Sequence, residues 1–391
     1  MKFQTGGKLS TRDLREAVKS NGIRVVAEGL VQGLVKGTIK PDQLSLKALW
    51  EGCVGPCDET LGRHNQIMSS RFIERDAKEQ INSQAFSWIM GNVIVTQMIA
   101  GYEASASVLS ELVETRSSSM KVEPVPGFQA FGAMNNVDEG KEYDDSVAAE
   151  KVVLNPEPKK RGRVVYITEE AVMFDQTSSI LDKAKMIGID LYEDRERNGL
   201  YKIQDLTGYK TYYPVVDGTP TQTDLYRTSA GTGGWYNRTV NAQQNALEDW
   251  TDLEAVFTLV AAMTNEAGNK IHVPVDTMLV PAAKYGTALR IVNGTEVRVV
   301  TNTANTTLSP NVITPILGGP IQKILWSPFM NDTTTWYAGS PKRQFRERVI
   351  MPPSLVQLMG NDRRDVVAGF KARWKGQVEA TDDKFFTKNT N

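Results

Sequence analysis

Apolar and polar positions change period several times along this chain, and the cleanest repeat lies near its end. Phe370, Ala372 and Trp374 alternate with Lys371, Arg373 and Lys375, the two-residue period of a strand with one apolar and one cationic face. That strand is expected over Asp365–Val378. The longest helical signal lies upstream, where Met173, Thr177, Ile180, Ala184, Ile187 and Leu191 recur at four- and three-residue spacing. Thr168 stands in an N-cap place, Glu169 and Glu170 fill the first turn, Arg195 and Arg197 suit the last, and Asn198-Gly199 reads as a stop. One helix is therefore expected from Thr168 to Asn198, roughly 45 Å long.

Shorter periods fill in the rest. Ser10-Thr11-Arg12-Asp13 has capping-box spacing, Leu14, Ala17 and Val18 share a helical face, and Asn21-Gly22 stops it. A second short helix runs from Gly22 to Gly37, and 37–66 is rich in Gly, Pro and charge. Helical spacing of Phe72, Ile73, Ala77 and Ile81, and of Val108, Leu109, Leu112 and Val113, predicts helix over 71–116, broken at Gly91 and Gly101. Leu200–Ile203 and Lys210–Tyr213 read as short strands in a segment rich in Gly, Thr, Tyr and Asn. From Thr251 a compact α/β region begins. Thr251 and Glu254 have capping-box spacing before a face of Leu253, Val256, Phe257, Val260 and Met263. Strands at 278–280, 321–326 and 335–337 and a helix over 282–290 follow.

One long segment fits no globule. From about Phe128 to Tyr166 the chain is charged and turn-rich, too polar to bury. Its front carries Asp138, Glu139, Glu142, Asp144 and Asp145; its rear carries Lys159, Lys160, Arg161 and Arg163. Val152-Val153-Leu154 and Val164–Ile167 read as an outgoing and a returning strand. In an isolated chain such runs are a solvated loop. Opposed charges at the two ends also suit a limb lying across a neighbour.

Composition narrows the chemistry. The 45 Lys+Arg against 46 Asp+Glu give a net charge of −1, without the basic excess of a dedicated nucleic-acid binder. Residues Met1 to Lys8 are polar with no apolar core behind them, so no secretory leader is expected, and Trp88–Ala100 is too interrupted to span a bilayer. The two cysteines, Cys53 and Cys57, make no disulfide framework. With Asp58 and His64 they lack the second ligand pair of a structural zinc site, since the other histidine is His272. No nucleophile elbow, HExxH or P-loop appears. No catalytic, cofactor-binding or metal residues are therefore assigned, and the chain is not expected to be an enzyme.

The order of segments resembles the major capsid protein of tailed bacteriophages, the Hong Kong 97 type. Lys159-Lys160-Arg161-Gly162-Arg163-Val164-Val165-Tyr166-Ile167-Thr168-Glu169-Glu170 is similar to that family's junction between extended loop and spine helix. Val280-Pro281-Ala282-Ala283-Lys284-Tyr285 resembles its axial-domain turn, and Asp365–Phe370 through Phe385-Phe386 its closing strand. The resemblance implies an α+β fold with an N-terminal arm (1–70), a first part of the P-domain (71–127) and an extended β-hairpin E-loop (128–166). A P-domain with spine helix (167–249, helix 168–198), an A-domain (250–345) and a return to the P-domain (346–391) complete it. It implies self-assembly as hexamers and pentamers into an icosahedral head, made in the host cytoplasm and enclosing double-stranded DNA without sequence specificity. Portal, decoration or scaffolding proteins are the implied partners, with no membrane. The opposed charges of the loop become the expected inter-subunit contacts. Some members crosslink a loop lysine to an asparagine near the closing strand. Here Arg363-Arg364-Asp365-Val366 offers none beyond Asn361, so no crosslink is expected. An encapsulin-like compartment is the alternative with the same fold.

Overall fold

A computed structural model describes residues 11–36, 38–39, 46–53, 91, 93–105, 107–126, 136–137, 139–142, 152–168, 179–216, 219–229, 240–264, 269–293, 296–302, 305–310, 321–358 and 366–391. It mixes helices and sheets, an α+β chain, in two compact units. The first comprises Met1–Ala106, Lys160–Asp194 and Met351–Lys375; the second comprises Ser107–Lys159, Arg195–Ile350 and Gly376–Asn391.

In the first unit, helices α1 (Thr11–Asn21) and α2 (Ile23–Val35) meet at Gly22, whose φ of 79° is the left-handed turn a helix end favours. Leu14 and Ala17 bury one face of α1, and α3 (Leu46–Cys53) packs on α1 with Leu49 and Trp50 buried. The segment 37–66 thus holds a helix among its polar residues. Helix α4 (93–103) buries Val93, Ile94 and Met98. It lies backbone to backbone with the first part of a long helix. A Cβ on Gly188 would stand 2.0 Å from the Met98 carbonyl oxygen, and one on Gly101 would stand 2.3 Å from that of Lys185. Only glycine permits this approach. The Tyr102 and Tyr192 rings meet edge to face at 5.8 Å.

The helical expectation over 71–116 needs correction at its end. After a single turn, α5 (Leu109–Leu112), the chain becomes strand β1 (Glu114–Ser117) in the second unit. The part before Gly91 lies outside the described residues. β2 (Glu123–Pro126) pairs antiparallel with β3 (Val152–Asn155). The returning strand, β4 (Lys160–Thr168), does not pair with β3 as expected. It runs antiparallel to the closing strand, from Lys160 opposite Lys375 to Thr168 opposite Val366. Its β-branched run continues the ladder through Thr168, and the first helical turn expected at Glu169 and Glu170 lies outside the described residues.

The long helix α6 spans Ser179–Ile203, with 169–178 outside the described residues. It passes through Asn198-Gly199, and Leu200 and Ile203, expected in a strand, are buried residues of its last turn. Gly199 serves packing: a Cβ there would sit 2.5 Å from the Leu109 side chain. The helix ends at Asp205, with φ of 55°. The Leu206 N–H donates to the Tyr201 carbonyl and the Asp205 N–H to that of Lys202, the two bonds of a Schellman stop. Tyr212 makes an isolated bridge to Thr223 in place of the expected strand; β5 (Val215–Val216) and β6 (Thr219–Pro220) pair beside it.

The second unit is built on a five-stranded sheet ordered β11-β8-β12-β15-β7, from Lys323–Trp326, Thr277–Val280, Trp336–Gly339, Phe386–Thr390 and Ala242–Gln244. Met278 to Val280 are fully buried, as an unbroken apolar strand run requires. Helices α7 (Trp250–Ala261) and α8 (Ala282–Asn293) supply Leu253, Val256, Val260, Ala288, Ile291 and Val292 to one core. The cap of α7 is Asp249, two residues earlier than expected. Its carboxylate accepts from the Thr251 N–H at 2.8 Å, and Asp252 closes the box on the Asp249 N–H at 2.9 Å. A hairpin, β9 (Glu296–Asn302) with β10 (Asn305–Pro310), comes after α8. After the short helix α9 (Pro341–Gln344), strands β13 (Phe345–Leu358) and β14 (Val366–Ala380) each run through residues of both units. β1 lies parallel to Arg346–Val349 of β13. In β14 the expected alternation holds: Phe370, Ala372 and Trp374 are buried, while Lys371, Arg373 and Lys375 are half-buried.

Candidate functional site

The charged residues expected at subunit contacts divide between exposed and engaged. Strand β4 presents Lys160, Arg161 and Arg163, with Lys159 just before it. Arg161 Nη1 reaches Asp194 at 3.2 Å and Arg163 Nη1 reaches Asp190 at 3.3 Å, two carboxylates one turn apart on α6. Both pairs are solvated and add little stability; they orient the strand's charged face. Glu139, Glu142, Lys159 and Lys160 are exposed. Asp138, Asp144 and Asp145 lie outside the described residues. Among the described residues no ion pair joins the acidic group to the basic one.

A denser network sits where the 120s and the 150s meet, and sequence reading did not single it out. Arg348, 1% exposed, donates from Nε to Glu379 at 2.5 Å. Its other nitrogens donate to the carbonyls of Met120 (3.2 Å), Lys121 (3.0 Å) and Pro156 (3.0 Å). Gln377 donates to Pro156 at 2.6 Å and to Glu379 at 2.9 Å. Arg346 lies 3.2 Å from Glu123 and 3.4 Å from Glu379. The opposite face of β13 carries Glu347, which takes two bonds from Arg195, at 2.7 and 2.5 Å, and one from Thr115. One guanidinium thus ties both ends of the segment between Lys121 and Pro156 through charge-assisted bonds to their carbonyls. The sequence does carry a trace of this: Arg346-Glu347-Arg348 places two arginines on one face of a strand. Period alone, however, reads such a run as solvated.

A second polar cluster lies around the end of α6. The Asp205 carboxylate accepts from the Leu225 N–H at 2.9 Å and from Lys210 Nζ at 3.0 Å, and Lys210 also pairs with Asp224 at 2.7 Å. Burial pushes the Asp205 carboxyl up, against the pull of those two donors, and pushes Lys388 down. Burial also raises Tyr226, whose hydroxyl donates to the Ile203 carbonyl at 2.8 Å. A pocket of about 900 Å³ beside it is lined by Lys210, Asp224 and Arg227. The Leu225 N–H, the Lys210 ammonium and the Tyr226 hydroxyl each find an acceptor here, which locks the turn. Among the described residues no group of three or more His, Cys, Asp or Glu could hold a metal ion, and no helix is long and apolar enough to cross a membrane. Cys57, His64 and Asp58 lie outside them.

Comparison with known proteins bears on residues 151–389, which match a family model described as "Phage capsid protein". No curated protein matches. Among solved structures, the chain is similar to the virus-like particle from Pyrococcus furiosus, with 11% identity, 76% of this chain and 97% of that one covered, and a TM-score of 0.43. For the capsid of cyanophage P-SCSP1u the values are 12%, 73%, 88% and 0.45. For the capsid of the empty GTA particle they are 11%, 73%, 90% and 0.45. Likeness at this level carries no weight; the family match does.

Proposed function

The chain belongs to the phage capsid protein family, and from that premise we propose that it builds an icosahedral head of hexamers and pentamers around double-stranded DNA. It is a major capsid protein, a self-assembling structural subunit of the virion shell. The observation that carries the reading is the family match over 151–389, and it favours a phage head over an encapsulin-like compartment. No catalytic step is ascribed to it.

The Hong Kong 97-type layout is our reading of the element order. In support, a charged strand (β4) leads to a long helix (α6), an α/β region comes next, and a long closing strand (β14) returns to pair with β4. On that layout 1–70 is the arm, 128–166 the extended loop and 250–345 the axial domain. Contacts of this permanent kind commonly bury more than about 2,000 Å², and symmetry repeats each of them. A net charge of −1 suits a wall that confines DNA without gripping it. Portal and scaffolding or decoration proteins are the expected partners.

The charged ends of the loop, Asp138, Glu139, Glu142, Asp144 and Asp145 at one end and Lys159, Lys160, Arg161 and Arg163 at the other, are the proposed contacts with neighbouring copies. Within the chain Arg161 and Arg163 pair with Asp194 and Asp190 of α6. Electron micrographs of the purified chain should show closed shells. Lys159→Glu with Lys160→Glu should lower shell yield severalfold while leaving the monomer's melting temperature unchanged. A chain that sediments as a monomer under all assembly conditions would refute the shell itself.

A further inference from the structure

One face of β1 and the start of β13 border a pocket of about 470 Å³ in the second unit, and its walls are strongly cationic. Arg116, Lys342, Arg343 and Arg346 line it, against the carboxylate of Glu114. Glu114 is already engaged by Arg116 at 3.2 Å. The Arg343 guanidinium lies 5.8 Å from the centre of the Phe385 ring, against the pocket's apolar wall, and stays exposed to solvent. Among the described residues neither Lys342 nor Arg343 has a carboxylate at ion-pair distance. Arg346 is the informative member. Its side chain is 9% exposed, its Nη2 is shared by Glu123 and Glu379, and its Nε has no acceptor. A buried charged donor left without a partner is costly. An oxyanion entering this pocket lies among the Arg116, Lys342, Arg343 and Arg346 cations and pairs with Lys342 and Arg343, both exposed.

We propose that the pocket receives carboxylates of a second copy of this chain, namely Glu139 and Glu142. The inference rests on the shell-subunit reading and names one receiving site within it. Both glutamates are exposed and have no partner in their own chain among the described residues. They lie three residues apart on a segment whose two ends are clamped by Arg348. Like-charge repulsion keeps Lys159 and Lys160 of a neighbour out of the same pocket, so the contact has a fixed polarity, acid into base.

A charge swap in the full chain tests this. Lys342→Glu with Arg343→Glu should lower the yield of shells about tenfold or more, the effect of losing roughly one ion pair's coupling at each repeated contact. Glu139→Lys with Glu142→Lys should do the same. The chain carrying all four substitutions should recover yield to within about threefold of the native chain, because the pairing is restored with its sign reversed. Melting temperatures of the unassembled variants identify any that fail to fold. Arg343→Lys, which keeps the charge, should assemble normally. The assignment is overturned if folded four-substitution chains assemble no better than either pair alone, or if both pairs assemble normally. It is likewise overturned if Lys342→Glu with Arg343→Glu shells form normally but lose bound nucleic acid, since phosphate is then the occupant. If the native chain forms no shells at all, the shell reading fails first and this site with it.

Discussion

Arg346, Glu347 and Arg348 are all buried, although they sit one after another in a single strand. Alternate charges go to opposite faces, and each face brings its own partner: Glu379 and Glu123 on one, Arg195 on the other. Buried pairs of this kind cost much to break and little to replace. Arg348→Met is therefore expected to destabilise the chain by about 3–5 kcal/mol in urea unfolding, because buried Glu379 loses its shortest charged partner and three carbonyls each lose one donor. Arg348→Met with Glu379→Leu should lose less than the single change. Glu123 gives a pH handle on the same corner. Its carboxyl is held below the ordinary 4.5, chiefly by a hydrogen bond from Ser118 and, against the effect of burial, by the nearby Arg346 and Arg348. A depressed carboxylate stabilises the fold at pH above its unfolded value and loses that contribution as pH falls through its folded one. Melting temperature should therefore drop below about pH 4.5, and Glu123→Gln should flatten the drop.

Helix α6 shows how elements use glycine for two different ends. At Gly188 and Gly199 the missing Cβ lets another chain segment approach, while Gly286 in α8 has nothing within 4 Å of where a Cβ would stand. Helix propensity alone favours alanine at all three by up to about 1 kcal/mol. Gly286→Ala should stabilise by roughly 0.5–1 kcal/mol, and Gly188→Ala should destabilise by about 1–3 kcal/mol as the Met98 carbonyl is forced away. Chemical denaturation of the two variants checks the opposite signs. The same pair explains why one stop was misread. Asn198-Gly199 has the residues of a helix end, but Leu109 needs the space above Gly199. The chain instead turns at Asp205, a left-handed residue held by Lys210 and the Leu225 N–H.

At the scale of the whole chain, the arm is assigned to the first unit. No residue of 1–36 belongs to the second unit or to its cores. Deletion of 1–36 should leave the melting of that unit in place while shells become less stable to heating or dilution, read by calorimetry and sedimentation. By itself the sequence determined the elements whose signal is local: α1 with its Gly22 stop, the apolar run of β8, helices α7 and α8, and the alternation of Phe370, Ala372 and Trp374. Tertiary structure alone decided that β4 pairs with β14, that Thr168 lies in that ladder, and that the Arg346–Arg348 run is interior. Strand pairing and the burial of charge depend on partners more than a hundred residues away, such as Lys375 for Lys160 and Arg195 for Glu347. A periodic pattern reports which face is apolar; it does not report what that face meets.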